Sequence, residues 1–218
     1  MIPIIAALLL QAPPTQSTNG ITRSVIVDRG GLQAVRVTFA PRASVAPAGQ
    51  AYDVVLVPID GGMSAEVEGN PVPWRPGVAI LIPRGAPHQV TNASSSPVSF
   101  ISVRRLGDAD IKPAPAPQTS GATVVRSADS KYVRATTLRV ERGGDIRGAS
   151  APQAGPSLFV LAGAGNVRMT VGTAISDFPR QQAGTVWMFD AGTPFALANI
   201  GAGSFEVVRI TAPPAPSR

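Results

Sequence analysis

One spacing pattern occurs twice in this chain. Gly77-x5-Pro83-x-Gly85-x2-His88-x3-Asn92 recurs, interval for interval, as Gly184-x5-Asp190-x-Gly192-x2-Phe195-x3-Asn199. Two glycines, an asparagine and a ring-bearing position return at matched distances, so the chain reads as two copies of one structural unit. Upstream, Val57-Pro-Ile-Asp-Gly61 corresponds loosely to Phe159-Val-Leu-Ala-Gly163. A chain of 218 residues then gives each copy about 100 residues, enough for a small core of its own.

The local pattern within each copy is β. In the first, Val35–Phe39, Val54–Val57, Val78–Ile82 and Val98–Val103 are short apolar or alternating runs. Ser64-Ala-Glu-Val-Glu68 alternates strictly, with Ala65 and Val67 on one face and Glu66 and Glu68 on the other. The second copy does the same over Thr137–Val140, Leu158–Leu161, Val167–Val171, Val186–Phe189 and Phe205–Ile210. Gly61-Gly62, Gly69-Asn70 and Gly163-Ala-Gly165 fall between runs, where tight turns belong. With 22 Gly and 22 Pro, the chain carries too many helix breakers for a bundle. No ten-residue window holds a 3.6-residue period free of Gly and Pro.

Two low-complexity stretches divide the chain. Residues 1–20 open with an unbroken apolar run, Ile4 to Leu10, and continue polar and Pro-rich to Gly20. The run is too short to span a bilayer, which takes about 20 residues. It reads as the core of an export leader, although no Lys or Arg precedes it. Residues 1–20 are expected to pack against nothing. Lys112-Pro-Ala-Pro-Ala-Pro-Gln-Thr-Ser-Gly121 alternates Pro and Ala and reads as an extended linker. The expected units are therefore 21–111 and 122–212, with 112–121 between them and a frayed tail at 213–218. A periplasmic or secreted location follows from the leader, and a cytoplasmic one if it is not a leader.

The element ending in His88 and Asn92 resembles the second conserved motif of the cupin superfamily, G-x5-P-x-G-x2-H-x3-N, at all its defined positions. With the pattern repeated among strands, the chain resembles a bicupin over roughly 33–104 and 134–210. The resemblance implies two tandem jelly-roll β-barrels with an internal pseudo-two-fold repeat, all-β throughout. It also implies that the residue at the His position points into the barrel mouth.

Metal-binding cupins take further ligands from a first motif, G-x5-H-x-H-x3,4-E-x6-G, and here the chain departs from the family. With Asp60-Gly61 aligned to the end of that motif, its Glu falls at Asp53 and its two His fall near Pro47 and Gly49. Neither Pro nor Gly ligates through a side chain. In the second copy Phe195 replaces the His, and Gly155-Pro156-Ser157 offers no acid. His88 and Asp53 alone would remain, with Tyr52 or Gln50 as further oxygen donors, and two ligands rarely hold a transition metal. We therefore expect no metal and no other cofactor.

The candidate ligand-binding residues are His88, Asp53, Tyr52, Arg84 and Trp74. Three roles are open for His88: filling space with a bond to backbone or water, contacting a ligand as hydrogen-bond partner or charge switch, or acid–base catalysis. Arg84, between Pro83 and Gly85, could meet a carboxylate or simply be solvated. Trp74, in Pro71-Val-Pro-Trp-Arg-Pro76, could cap a pocket or an interface. Trp187, within a strand core, is expected to pack. The second copy is expected to be the more structural of the two, its mouth filled by Phe195.

Composition excludes several classes. There is no Cys and one His, which removes disulfides, thiol catalysis, zinc ribbons and iron–sulfur clusters, and every site needing two His from one chain. The net charge of +6 comes from dispersed Arg, and aromatics make up 5%. A nucleic-acid binder would cluster its cations and interleave rings, so none is expected. The leading reading is a bicupin without a complete metal site, a non-catalytic small-molecule-binding or accessory protein of the cell envelope. The alternative is a metal-dependent cupin dioxygenase, isomerase or decarboxylase with an atypical site at His88. A sensor domain is a third reading, and would need a partner to carry its output. The partners expected are a small molecule and at most a second copy of the chain, which is read as monomer or homodimer.

Overall fold

The computed structural model describes residues 15–106, 111–148 and 154–212. Among them there is no helix. The first half holds β1 (Thr15–Thr18), β2 (Ile21–Arg29), β3 (Leu32–Phe39), β4 (Ser44–Ala48), β5 (Val54–Pro58), β6 (Met63–Val67), β7 (Asn70–Val72), β8 (Ile80–Ile82), β9 (His88–Asn92) and β10 (Val98–Arg105). The second half holds β11 (Gln118–Asp129), β12 (Arg134–Gly148), β13 (Ser157–Leu161), β14 (Gly165–Val171), β15 (Ala174–Gln181), β16 (Val186–Phe189), β17 (Phe195–Asn199) and β18 (Phe205–Thr211).

Each half is a jelly roll of antiparallel strands. The first closes a sheet in the order β1-β2-β3-β10-β5-β8 over a sheet in the order β4-β9-β6-β7. The second uses the order β15-β14-β17-β12-β18-β13-β16, with β11 also on β12. Its two faces form one sheet because β12 serves both. Arg134–Val140 pairs with β18, and Asp145–Gly148 pairs with β17. In the first half β3 and β4 divide that work, separated by a turn in which Arg42 has φ 62°. In the second, Gly143 bends the strand at φ 74° without ending it.

Register makes the repeat a structural fact. Met63 faces Asn92 and Val167 faces Asn199, while Val67 faces His88 and Val171 faces Phe195. His88 and Phe195 are thus equivalent, each opening its strand. On β5 and β13 the register differs from the sequence match. Ile80 faces Leu56 and Trp187 faces Phe159, so Phe159 stands at the place of Leu56 instead of Val57. Turns of unequal length between the strands shift the count, which a comparison of residue numbers does not reveal.

The repeated motif residues do structural work in both halves. Gly77 and Gly184 both have φ 79°, and Gly85 and Gly192 have φ 80° and 72°, where a Cβ is disfavoured. The Asn92 amide donates to the carbonyls of Phe39, Ala40 and Ser96 and accepts from Ser94 N at 2.9 Å. Asn199 repeats the clasp, donating to Val140 O and Gly203 O and accepting from Gly201 N.

Three cores follow from the pleat. On β5, Val54 and Leu56 face the first lumen, and Val55 and Val57 face the second half; on β13, Phe159 and Leu161 face inward, and Leu158 and Val160 face the first half. Burial on both faces explains why these strands read as unbroken apolar runs. Among the described residues, fifteen buried side chains form the layer between the barrels. The pseudo-two-fold axis is visible there. Arg36 donates to Gly184 O at 3.1 Å, and Thr137 donates to Gly77 O at 2.9 Å. Each motif glycine is held by the opposite barrel.

The stretches read as leader and linker both contribute strands. Thr15–Thr18 pairs with Thr22–Ser24 and Ile21 of β2, side chains exposed, where residues 1–20 were expected to pack against nothing. Ile4 to Leu10 and the tail 213–218 lie outside the described residues. Gln118–Gly121 already belongs to β11, and Pro113 and Pro115 lie against the second barrel.

Candidate functional site

The first barrel contains a cavity of about 180 Å³. Its apolar wall is built by Val35, Val37, Phe39, Val45, Val54, Leu56, Val90 and Phe100, and its polar atoms come from Arg23, Gln50, His88, Ser102 and Arg104. Strand alternation places them. Along β10, Phe100, Ser102 and Arg104 point inward while Ile101 and Val103 join the layer between barrels. The lining therefore grades from ring to hydroxyl to guanidinium towards the end of the barrel where β9 begins.

His88 lines this cavity, half buried, and its Nδ1 lies 3.4 Å from Ala86 O. That is a long contact, and no other hydrogen bond to the ring occurs among the described residues. Arg104 is held from both sides. Its Nε donates to Gln33 Oε1 at 2.8 Å, Gln33 donates to Asp28 at 2.7 Å, and the guanidinium lies 5.9 Å over the Tyr52 ring.

The other candidates lie outside the lining. Asp53 is buried, accepting from Arg84 N at 2.7 Å and from the Ser130 hydroxyl. It ties the Pro83–Gly85 turn to the turn before β12. Tyr52 acts through Arg104. Arg84 contributes its backbone N to Asp53, and its side chain is exposed. Trp74 donates to Asp60 O at 2.9 Å and packs edge-on against Phe100 at 5.3 Å; it closes the lumen from outside the cavity. Of the five, the structure brings only His88 to the cavity wall.

The lining does not fit a transition metal. It offers one imidazole, one amide, one hydroxyl and two guanidinium groups that repel a cation. Among the described residues no three His, Asp or Glu side chains come together. Pro47 and Gly49 are exposed, and a Cβ on Gly49 would lie 2.6 Å from Gly85 O, so that position has no room for a ligating side chain.

The second barrel is closed at the same end. The Phe195 ring stacks on Phe189 with centroids 4.0 Å apart and an interplanar angle of 10°, and Phe159 meets both edge-on. Arg209, 7% exposed, donates to Ser157 Oγ at 2.9 Å and to Pro115 O at 2.8 Å. Burial, with a smaller repulsion from Arg134, pushes its guanidinium down to about 10. Gly155 N donates to Pro113 O at 3.0 Å, so the Pro-Ala stretch crosses this mouth as a strap. About 10 Å³ of space remains beneath the strap, and the groove of about 500 Å³ that reaches Phe195 lies on the outer face, with Arg168, Thr170, Ala196 and Ala198. Trp187 packs against the lumen cluster, as a strand residue should.

Sequence reasoning missed Arg23, Ser102 and Arg104. The signal was available in Val98-Ser-Phe-Ile-Ser-Val-Arg-Arg105, where every second residue faces the lumen and polarity rises along that face. Arg23 shares its face of β2 with the buried Ile21.

Residues 35–104 match the family model of the Cupin domain. Among curated proteins none matches the chain in sequence. In structure the chain is similar to AerE from Microcystis aeruginosa, at 10% identity and a TM-score of 0.67, over 93% of this chain and 97% of that one. It is also similar to salicylate 1,2-dioxygenase from Pseudoaminobacter salicylatoxidans in adducts with gentisate, at 13% identity and a TM-score of 0.65, over 84% of this chain and 68% of that one. At these identities the likeness is one of fold. Among the described residues no helix is long and apolar enough to cross a membrane.

Proposed function

From a chain whose residues 35–104 are a cupin domain and whose two halves share the cupin fold, we infer a non-catalytic binding protein of the cell envelope. It takes a small organic ligand in the first barrel, and the second barrel supports the first. One observation carries this reading. The same end of the same fold is open to a cavity of about 180 Å³ beside His88 in one barrel, and in the other is packed to about 10 Å³ between Phe195, Arg209 and the Pro-Ala strap, with a groove of about 500 Å³ left only on the outer face of the sheet. A cavity of that size, mostly apolar with a few convergent polar groups, is what small ligands use. The envelope assignment is supported by the apolar run Ile4 to Leu10 ahead of a Pro-rich stretch.

The test is paired. Protein purified without a His tag should contain transition metal well below one atom per chain, before and after chelator treatment, and ligand-induced thermal stabilisation should be unchanged by the chelator. Stoichiometric Fe, Mn, Zn or Ni lost in His88→Ala would replace this reading with a metal-dependent enzyme. Fractionation of cells producing the full chain should recover it outside the cytoplasm.

A further inference from the structure

Resting on that reading of the first barrel, we propose that its ligand is a small apolar monocarboxylate, with its carboxylate held by Arg104 and Arg23 beside His88 and its hydrocarbon body against Phe100 and Leu56. Three observations carry this. The first is charge. The cavity wall includes two guanidinium groups and an imidazole and no acid. Asp28 reaches Arg104 only through Gln33, and both oxygens of Asp53 are occupied by Arg84 N and the Ser130 hydroxyl.

The second observation is the state of the two arginines. Arg104 is fixed through its Nε by Gln33 and through its face by Tyr52, while its two terminal amino groups have no partner among the described residues. A guanidinium oriented in this way presents parallel N–H donors, the geometry a carboxylate accepts in two bonds. Arg23 is paired through its backbone with β1 and β3, but its side chain makes no hydrogen bond or ion pair among the described residues, so it too can close on an anion.

The third is size and grading. A 150 Å³ apolar cavity holds one benzene ring, so about 180 Å³ accommodates a ring or short branched chain with one head group. The inward side chains of β10 match such a molecule along its length: Phe100 for the body, Ser102 between, Arg104 for the head. A bare inorganic anion would leave the apolar wall uncovered.

His88 is the only histidine, so the single Cε1–H imidazole correlation in a ¹H–¹³C spectrum reports on the cavity without assignment work. Benzoate, benzamide and inorganic phosphate are titrated into the full chain. Benzoate should shift that correlation, raise the melting temperature and bind at least tenfold more tightly than benzamide, about 1.4 kcal/mol. Phosphate should leave the correlation in place. In Arg104→Gln the benzoate preference should shrink to about twofold. Because that change also releases Gln33 and Tyr52, Arg23→Gln, at an exposed position, serves as the second variant and should reduce the preference by a smaller factor. If benzamide shifts the imidazole as strongly as benzoate, the cavity binds small molecules and the carboxylate class is wrong. If phosphate competes equally, the apolar body plays no part and the proposal is equally wrong. If none of the three moves the correlation or the melting temperature, the cavity is no binding site and the reading beneath the proposal goes with it.

Discussion

Place the two barrels in register and the same end of each is built from different residues. Leu56, Ile82 and His88 in the first are Phe159, Phe189 and Phe195 in the second; Ala48 is Gly148, and Ser102 is Arg209. Towards the Asn92 end the first barrel has Phe39, Val98 and Phe100 where the second has Val140, Phe205 and Val207, so both keep a ring there. At the mouth end, phenyl volume has shifted from none of these three positions, Leu56, Ile82 and His88, in the first lumen to all three in the second. Because interiors are close-packed, that shift is enough to open a mouth in one copy and seal it in the other while the backbone repeats. The strap is the second difference, since the Pro113–Pro115 backbone occupies the sealed mouth and supplies a carbonyl to Arg209. What a duplicated fold keeps here are its glycines, its asparagine clasp and its strand order. What distinguishes the copies is whether phenyl rings fill the mouth end.

The comparison breaks first at Phe195, where the largest effect is expected. Phe195→Ala removes a ring packed against two others and should cost about 3–5 kcal/mol in a denaturant titration, with benzoate binding to the folded fraction unchanged. Unchanged stability together with lost binding would exchange the roles of the two barrels. Asp53→Ala comes next. It removes the shared acceptor of two part-buried hydrogen bonds, from Arg84 N and the Ser130 hydroxyl, and hydrogen bonds to a charged group are worth about 1.5–3 kcal/mol each. A loss of about 3 kcal/mol with intact ligand affinity is expected; a large fall in affinity at small stability cost would return Asp53 to the site. Gly148→Ala follows. A Cβ there would lie 2.1 Å from the Phe195 ring, so overpacking of about 1–3 kcal/mol is expected. The same methyl is already present at Ala48, opposite His88. The double variant Gly148→Ala, Phe195→His should recover much of the loss, since it gives the second mouth the pair found in the first.

The fold was legible because its signals are short-range. Period-two alternation, glycines forced to positive φ and the matched intervals are each set by a few neighbouring residues, and together they specified two all-β units. The site was legible only where the motif reached it, at His88. Asp53 was aligned by counting back from Gly61, but counting does not say which way a buried carboxylate turns, and Ser130, 77 positions away, decides that. Arg104 and Arg23 come to the cavity through register across β2, β3 and β10, a non-local property. The linker misled for the same reason. Pro-Ala alternation does set an extended backbone, but only the fold reveals that the extended backbone lies across the second mouth.

The smallest effect is expected at His88, and it sharpens the comparison most. Its ring is half buried, has among the described residues one hydrogen-bond contact, of 3.4 Å to Ala86 O, and faces a cavity instead of a packed neighbour. Truncating it leaves no new void in a dense core and strands no strong hydrogen bond. His88→Ala should therefore change stability by less than about 1 kcal/mol, the range of substitutions that break no packing or network, while weakening benzoate severalfold. The reciprocal variant His88→Phe should imitate the second barrel by placing a ring in the open mouth, blocking benzoate at little cost or even some gain in stability. A loss of 3 kcal/mol or more in His88→Ala would mean that the first mouth is as much a packing element as the second. The difference between the barrels would then be one of shape alone, with no division of labour behind it.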